Sequence, residues 1–196
     1  MKGIIRHYRK WRKDNPDSWF DLCIEQTSLR DAIQVAARSV NARGIMSGHQ
    51  CLVGAVKLGY WADYLAQFER KIHQVNTFKA LYSLLENIRD TGKANAHIEG
   101  VGELLIYDTA HRIGGYRGLL PKEIHLHSGT RRGSRNLLGT LPRGKHWLPL
   151  SHFPSVFAEV QVTASELEDI LCIYKDDFRR CLLSSDSQKI VRQPKC

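Results

Sequence analysis

Between Thr77 and Gly92 the apolar residues Phe78, Leu81, Leu84, Leu85 and Ile88 recur at helical spacing, and this periodicity constrains the fold more than any other feature. It returns along most of the chain. Ser28 or Thr27 caps a helix over Leu29–Val40, with Leu29, Ile33 and Ala36 or Ala37 on one stripe. Ser47 opens a stretch from His49, interrupted near Gly59, and another runs through Trp61, Tyr64, Leu65 and Phe68, a group assigned to the core with Trp19. Gly92 is expected to close the 77–92 helix as a left-handed cap. A further helix spans about Glu103 to Ile113 and stops at Gly114-Gly115, and Thr163-x-x-Glu166 is a capping box opening one through Leu171, Ile173, Tyr174 and Phe178. Alternating strand patterns are scarce, with Ala158–Val162 the one short candidate, and Gly118–Pro154 reads as irregular. The expected class is mainly α: a single all-helical domain over 1–196 with an irregular basic segment, a basic N-terminal arm at 1–15 and a flexible tail at 187–196.

Hydrophobic residues make up 42% of the 196-residue chain and charged residues 25%, which excludes wholly disordered and low-complexity classes. No window approaches the length of uncharged apolar sequence that a membrane-spanning helix needs, so no membrane partner is expected. Five cysteines, an odd number without C-x-x-C spacing, argue against a disulfide framework or a cysteine-rich zinc site. Cys23, Cys51 and Cys172 sit in apolar stretches and read as core residues, and a reducing cytoplasm is the simplest location.

The net charge is +9, and its distribution is uneven. Met1–Lys13 holds six basic residues and no acid, and Arg112–His146 holds eight against Glu123 alone. Such a balance attracts polyanions, so nucleic acid heads the list of partners.

The strongest local motif is Ile98-Glu99-Gly100-Val101-Gly102, between two helices. Glycines flanking an apolar residue permit a tight turn and leave backbone N–H groups bare at the start of the next helix, where the dipole favours one phosphate. A dinucleotide fingerprint is excluded because Leu105 stands where a third glycine belongs and no strand precedes, and no P-loop is present, so no cofactor is expected. This helix, Gly-x-Gly turn and helix resembles the helix-hairpin-helix DNA glycosylase superfamily over roughly 77–135. The resemblance implies an all-α fold, a double-stranded DNA partner and hydrolysis of the N-glycosidic bond of a damaged or modified base. By it, Gly100, Val101 and Gly102 grip a backbone phosphate. Glu99 stands where the family carries proline, and Leu104 where lyase-type members carry lysine, which implies a monofunctional enzyme. The segment in which the family places a catalytic aspartate contains none here, and offers Glu123, His125 and His127.

Base excision needs a flipped nucleotide, an anion near the sugar and a positioned water. Asp108, among apolar neighbours, is a candidate carboxylate whose structural alternative is an i, i+4 pair with Arg112. His125 and His127 share one side of an extended segment, and Glu123 completes the catalytic candidates. Thr130, Arg131, Arg132 and Arg135 form a second candidate phosphate loop, with Lys145 and the stacking candidate Trp147 beyond it. Two rivals remain: a DNA-binding module without chemistry, and a metal-dependent nuclease built on His125-x-His127, to which His97, His111, His146 or His152 would have to add ligands. No obligate protein partner is inferred.

Overall fold

A computed structural model describes residues 1–92 and 98–181. His97 and the tail at 187–196 lie outside the described residues. The chain is mainly helical, and it is built as two compact units: residues 17–120 form one, and 1–16 with 121 onward form the other.

The 17–120 unit runs α2 (Ser18–Ile24), α3 (Leu29–Arg38), α4 (Ala55–Ala66), α5 (Glu69–Gln74), α6 (Phe78–Gly92) and α7 (Glu103–Tyr116). Ser28 caps α3 as its sequence implies, accepting from the Asp31 amide at 3.1 Å. The α3 stripe of Ala32, Ile33, Ala36 and Ala37 is buried, and α3 packs on α4 and α7. Trp61, Leu58 and Leu65 on α4 join this core, and Cys23 lies in it too, its thiol pushed up to about 12 by burial. Asp17, accepting from the Phe20 amide, starts α2, a helix too short to show in the apolar pattern.

Several boundaries differ from the sequence expectation. His49 does not start a helix. Turns carry the chain to Gly54, whose φ of +85° serves as the N-cap of α4, and α4 then runs through Gly59 unbroken. Cys51 lies on those turns and is exposed, not core. Gly92 is not a left-handed cap but the last residue of α6, buried where a Cβ would strike Ile98 and the Tyr64 ring. Gly114 and Gly115 likewise do not end α7. They lie within it, because Gly114 admits the Leu119 carbonyl and Gly115 the Phe20 ring. These glycines serve close approach and not chain reversal.

The second unit begins with α1 (Lys2–Asp14) and continues with β1 (Glu123–His125), α8 (Ser128–Leu138), β2 (Trp147–Pro149), a 3-10 turn over Leu150–His152, α9 (Val156–Glu159), α10 (Ala164–Ile173) and α11 (Lys175–Cys181). The expected basic arm is α1, a helix whose Ile4, Ile5 and Tyr8 enter a core with Ile124, Leu126, Phe157, Leu167, Leu171 and Phe178. The segment expected to be irregular holds an antiparallel two-stranded ribbon, pairing Glu123 with Pro149, Ile124 with Leu148 and His125 with Trp147. It also holds α8, a helix with two glycines and poor intrinsic propensity. Packing accounts for it: Gly133 lies so close to the Leu171 carbonyl on α10 that no side chain fits. Thr163 caps α10 as expected, accepting from the Glu166 amide at 3.1 Å, but the helix breaks at Tyr174 before Phe178. Residues 158–162, the strand candidate, are the end of α9 and a turn with Gln161 at φ +54°, closed by the Val162 amide on the Phe157 carbonyl.

No helix among the described residues is long and apolar enough to cross a membrane.

Candidate functional site

The predicted site residues fall in both units. Gly100, Val101, Gly102 and Asp108 belong to the 17–120 unit, and Glu123, His125, His127, Thr130, the arginines, Lys145 and Trp147 belong to the other.

At the hairpin, Gly100 has φ +95°, a conformation that L side chains adopt at a cost of roughly 1–2 kcal/mol. Val101 is buried, 6% exposed, and Ile98 beside it 3%, so the apolar residues pin the turn to the core. Gly102 is the N-cap of the 14-residue α7, with extended backbone at φ −87° and ψ 177°, no side-chain cap and open space where a Cβ would be. No side chain at Gly102 covers the start of α7. Glu99 is exposed and 4.0 Å from Lys57.

Asp108 lies further along the same helix with its side chain 20% exposed. The Gln50 amide donates to Asp108 Oδ2, and His49 Nδ1 is 3.9 Å from that oxygen. Burial works against ionisation here. The neighbouring His49, the charge of Arg112 and the Gln50 amide outweigh it, and hold the carboxyl below its ordinary value. Asp108 is thus an anion at neutral pH. The i, i+4 relation to Arg112 acts only through charge, because the guanidinium is directed to the Ala36 carbonyl at 3.1 Å and the Ser39 hydroxyl at 2.6 Å. Gln50 and His49 were not among the sequence candidates. They lie on turns with no periodic signal, and only the fold brings them to α7.

In the second unit the His-x-His segment is buried. His125 ends β1 with no exposed surface, its ring 4.5 Å from that of Trp147 and 6.2 Å from that of His127. Burial, then charge at His127, His146 and Arg131, pushes the His125 ring down to about 3, so it is neutral. His127 precedes α8 and meets Glu168 of α10 through Nε2. Thr130 Oγ1 donates to Glu168 Oε1 at 2.8 Å and sits 2.6 Å from His127 Nε2. Burial pushes the Glu168 carboxyl up, against the pull of His127 and Thr130. Thr130 is therefore no surface phosphate ligand. Its hydroxyl is sealed in this three-residue cluster, with no exposed surface.

Glu168 was missed in the sequence, although a signal was present. Ala164, Leu167, Glu168 and Leu171 mark one helical stripe, and the acid occupies a core position on it. Glu123 on β1 is half-buried.

Of the basic candidates, Arg131 donates to the Lys145 carbonyl at 3.2 Å and Arg132 to Asp176 at 2.5 Å. Arg135 and Lys145 are exposed, and Trp147 is half-buried beside His125. No group of three or more His, Cys, Asp or Glu comes together to hold a metal ion among the described residues.

Compared with protein-family models, with curated proteins and with solved structures, the chain matches none.

Proposed function

We propose that this protein binds double-stranded DNA and hydrolyses the N-glycosidic bond of a damaged or modified base, with Asp108 as the reacting carboxylate. The observation that carries the reading is Asp108 itself: an ionised side chain, partly exposed, on the helix that begins at the Gly100–Gly102 turn, steadied by the Gln50 amide and beside His49. In the reaction, the bond from C1′ to the base breaks with its electron pair leaving on the base, and water adds to C1′. A fixed anion stabilises the oxocarbenium-like sugar, a role that suits a carboxyl held ionised, and the proton released by the attacking water passes through solvent to the departing base. The start of α7 at Gly102 holds a phosphate, and within the other unit Arg135, Lys145 and the half-buried Trp147 are candidate DNA contacts of their own.

Two expected contributors move away from the chemistry. His125 and His127, at 0% and 2% exposure, have no open face toward a substrate, and the water-directing role passes to His49. Their burial favours a second reading, a DNA-binding module without chemistry. The test is incubation with a panel of damaged and modified duplexes, with released bases identified by mass spectrometry, beside a binding titration on the same DNA. On the duplex that yields base, Asp108→Asn should keep its affinity and lose about 10²–10⁴-fold in single-turnover rate. Binding without release from any duplex supports the second reading, and an undiminished Asp108→Asn rate removes Asp108 from the reaction.

A further inference from the structure

We propose that the outward face of α1 is a ridge that binds the phosphate backbone of duplex DNA. This rests on the DNA-binding reading above and gives it a surface that the hairpin motif does not include.

On a helix of 3.6 residues per turn, Arg6, Lys10 and Lys13 share the side opposite the buried Ile4 and Tyr8. The basic residues of α1 divide into two sets. Arg9 forms a forked pair with Glu166, Nε to Oε1 at 2.6 Å and Nη2 to Oε2 at 3.1 Å. Arg12 donates to Asp169 at 2.5 Å, and the Tyr8 hydroxyl donates to the same carboxylate at 2.6 Å. Lys2 lies 3.9 Å from Glu159. These contacts fasten α1 to its own unit. Arg6, Lys10 and Lys13 are exposed and form no ion pair among the described residues.

Lys13 stands in the last turn of α1, where a cation suits the helix dipole, but the spacing within the second set is unfavourable. Arg6 and Lys10 are like charges at i, i+4, Lys10 and Lys13 at i, i+3, and the first turn of α1 has no acid to answer its dipole. A polyanion removes all of these repulsions at once. The spacing suits a nucleic-acid strand. From Arg6 to Lys13 the axis rises about 10 Å, and a DNA strand presents a charge every ~3.4 Å, so about three phosphates lie within reach. A lipid surface is the poorer partner. A basic amphipathic helix holds a membrane by inserting its apolar face. Here that face, Ile4, Ile5 and Tyr8 at 1%, 2% and 4% exposure, is already in the core.

The test uses the full chain and a fluorescent duplex of about 20 base pairs, with anisotropy titrations over roughly 50 to 200 mM salt. The triple variant Arg6→Gln, Lys10→Gln, Lys13→Gln should bind at least tenfold more weakly at low salt. Its slope of log K against log[salt] should be shallower by about 2 to 3, near 0.9 per phosphate lost. The paired control Arg9→Gln, Arg12→Gln should change that slope little while lowering the melting temperature. If the triple variant loses its helical circular dichroism, the single change Lys10→Glu carries the test, with a slope shallower by about 1. A wild-type slope in a folded variant overturns the ridge while leaving DNA binding intact. Salt-independent or absent binding by the wild type overturns the DNA reading itself. Loss of binding to phosphatidylserine vesicles, with DNA affinity unchanged, assigns the ridge to a membrane and overturns the proposal.

Discussion

The unit of residues 17–120 holds eleven Lys and Arg against eleven Asp and Glu, while the remainder of the chain holds eighteen against nine. The whole excess of +9 therefore lies in the two end stretches of the chain, 1–16 and 121–196, whose described residues form the other unit. The Gly100–Gly102 turn and Asp108, to which the proposed function gives the phosphate grip and the anion, sit in the neutral unit. The contrast extends to buried polar groups. The neutral unit leaves Asp108 partly open and ionised, while the basic unit closes His127, Thr130 and Glu168 into its core. An acid near solvent, stabilised as an anion, is suited to chemistry. An acid sealed against a histidine is suited to fixing how α8 and α10 pack. The two clusters thus contain similar residue types with opposite uses, and exposure separates them.

The largest expected effect on stability tests the sealed cluster. Glu168→Ala leaves His127 and Thr130 buried without their acceptor, and breaking such a pair costs about 3–5 kcal/mol. Asp108→Asn keeps a side chain that still accepts from Gln50, and should cost only about 1 kcal/mol. Urea denaturation of both variants measures the gap. Equal, small losses would show that the cluster is not a structural fastening, and the comparison of the two units would fail.

Glycines sharpen the same comparison at intermediate size. Gly133→Ala drives a methyl into the Leu171 backbone, which cannot retreat as a flexible side chain could, and overpacking of this kind costs about 1–3 kcal/mol. Gly102→Ala meets open space on extended backbone and should cost folding less than about 1 kcal/mol, the disadvantage of Ala against Gly at an N-cap. On the proposed function its larger effect should be weaker DNA binding, since the methyl would stand in the path of the phosphate. A Gly102→Ala protein that is folded and binds DNA normally would reduce the hairpin to a structural turn.

The smallest effect is in pH dependence. His125 has a folded-state pKa near 3, depressed below the unfolded value near 6.5. Between these values the unfolded chain binds the proton and the folded chain does not, so this residue removes stability as pH falls through the window. Its limiting slope is about 1.4 kcal/mol per pH unit, approached well below pH 6.5. Stability curves at pH 7 and pH 5.5 should differ less in His125→Leu than in wild type. Identical pH dependence in the two proteins would mean that His125 protonates as readily folded as unfolded, in conflict with its burial.

Much of the helical content was legible in the sequence because its signals are local. The Ser28 and Thr163 caps, the apolar stripe of α6 and the start of α7 after Gly102 each depend on residues within a turn or two of one another. Asp108 was legible for the same reason, as a carboxylate among apolar neighbours on a helix. The failures share a physical cause. Glycine in a sequence signals conformational freedom, but Gly115 and Gly133 are closed by the distant Phe20 and Leu171, and Gly92 and Gly114 by a near residue together with the distant rings of Tyr64 and Phe78. Composition alone likewise made α1 an arm and α8 a loop, whereas packing against α10 makes both helices.

By itself, the sequence determined the helical class, the total charge and the Gly-Val-Gly turn, since these follow from residue type, periodicity and short-range backbone preference. Only the tertiary structure decided where the charge resides, because α1 joins a unit built from residues more than a hundred positions away. It also decided which polar groups are open. Gln50 and Asp108 are 58 residues apart and His127 and Glu168 are 41 apart, and no local rule relates them. The cost of burying a charge depends on the neighbours that long-range packing supplies, so the same residue types became a partly exposed anion in one unit and a sealed fastening in the other.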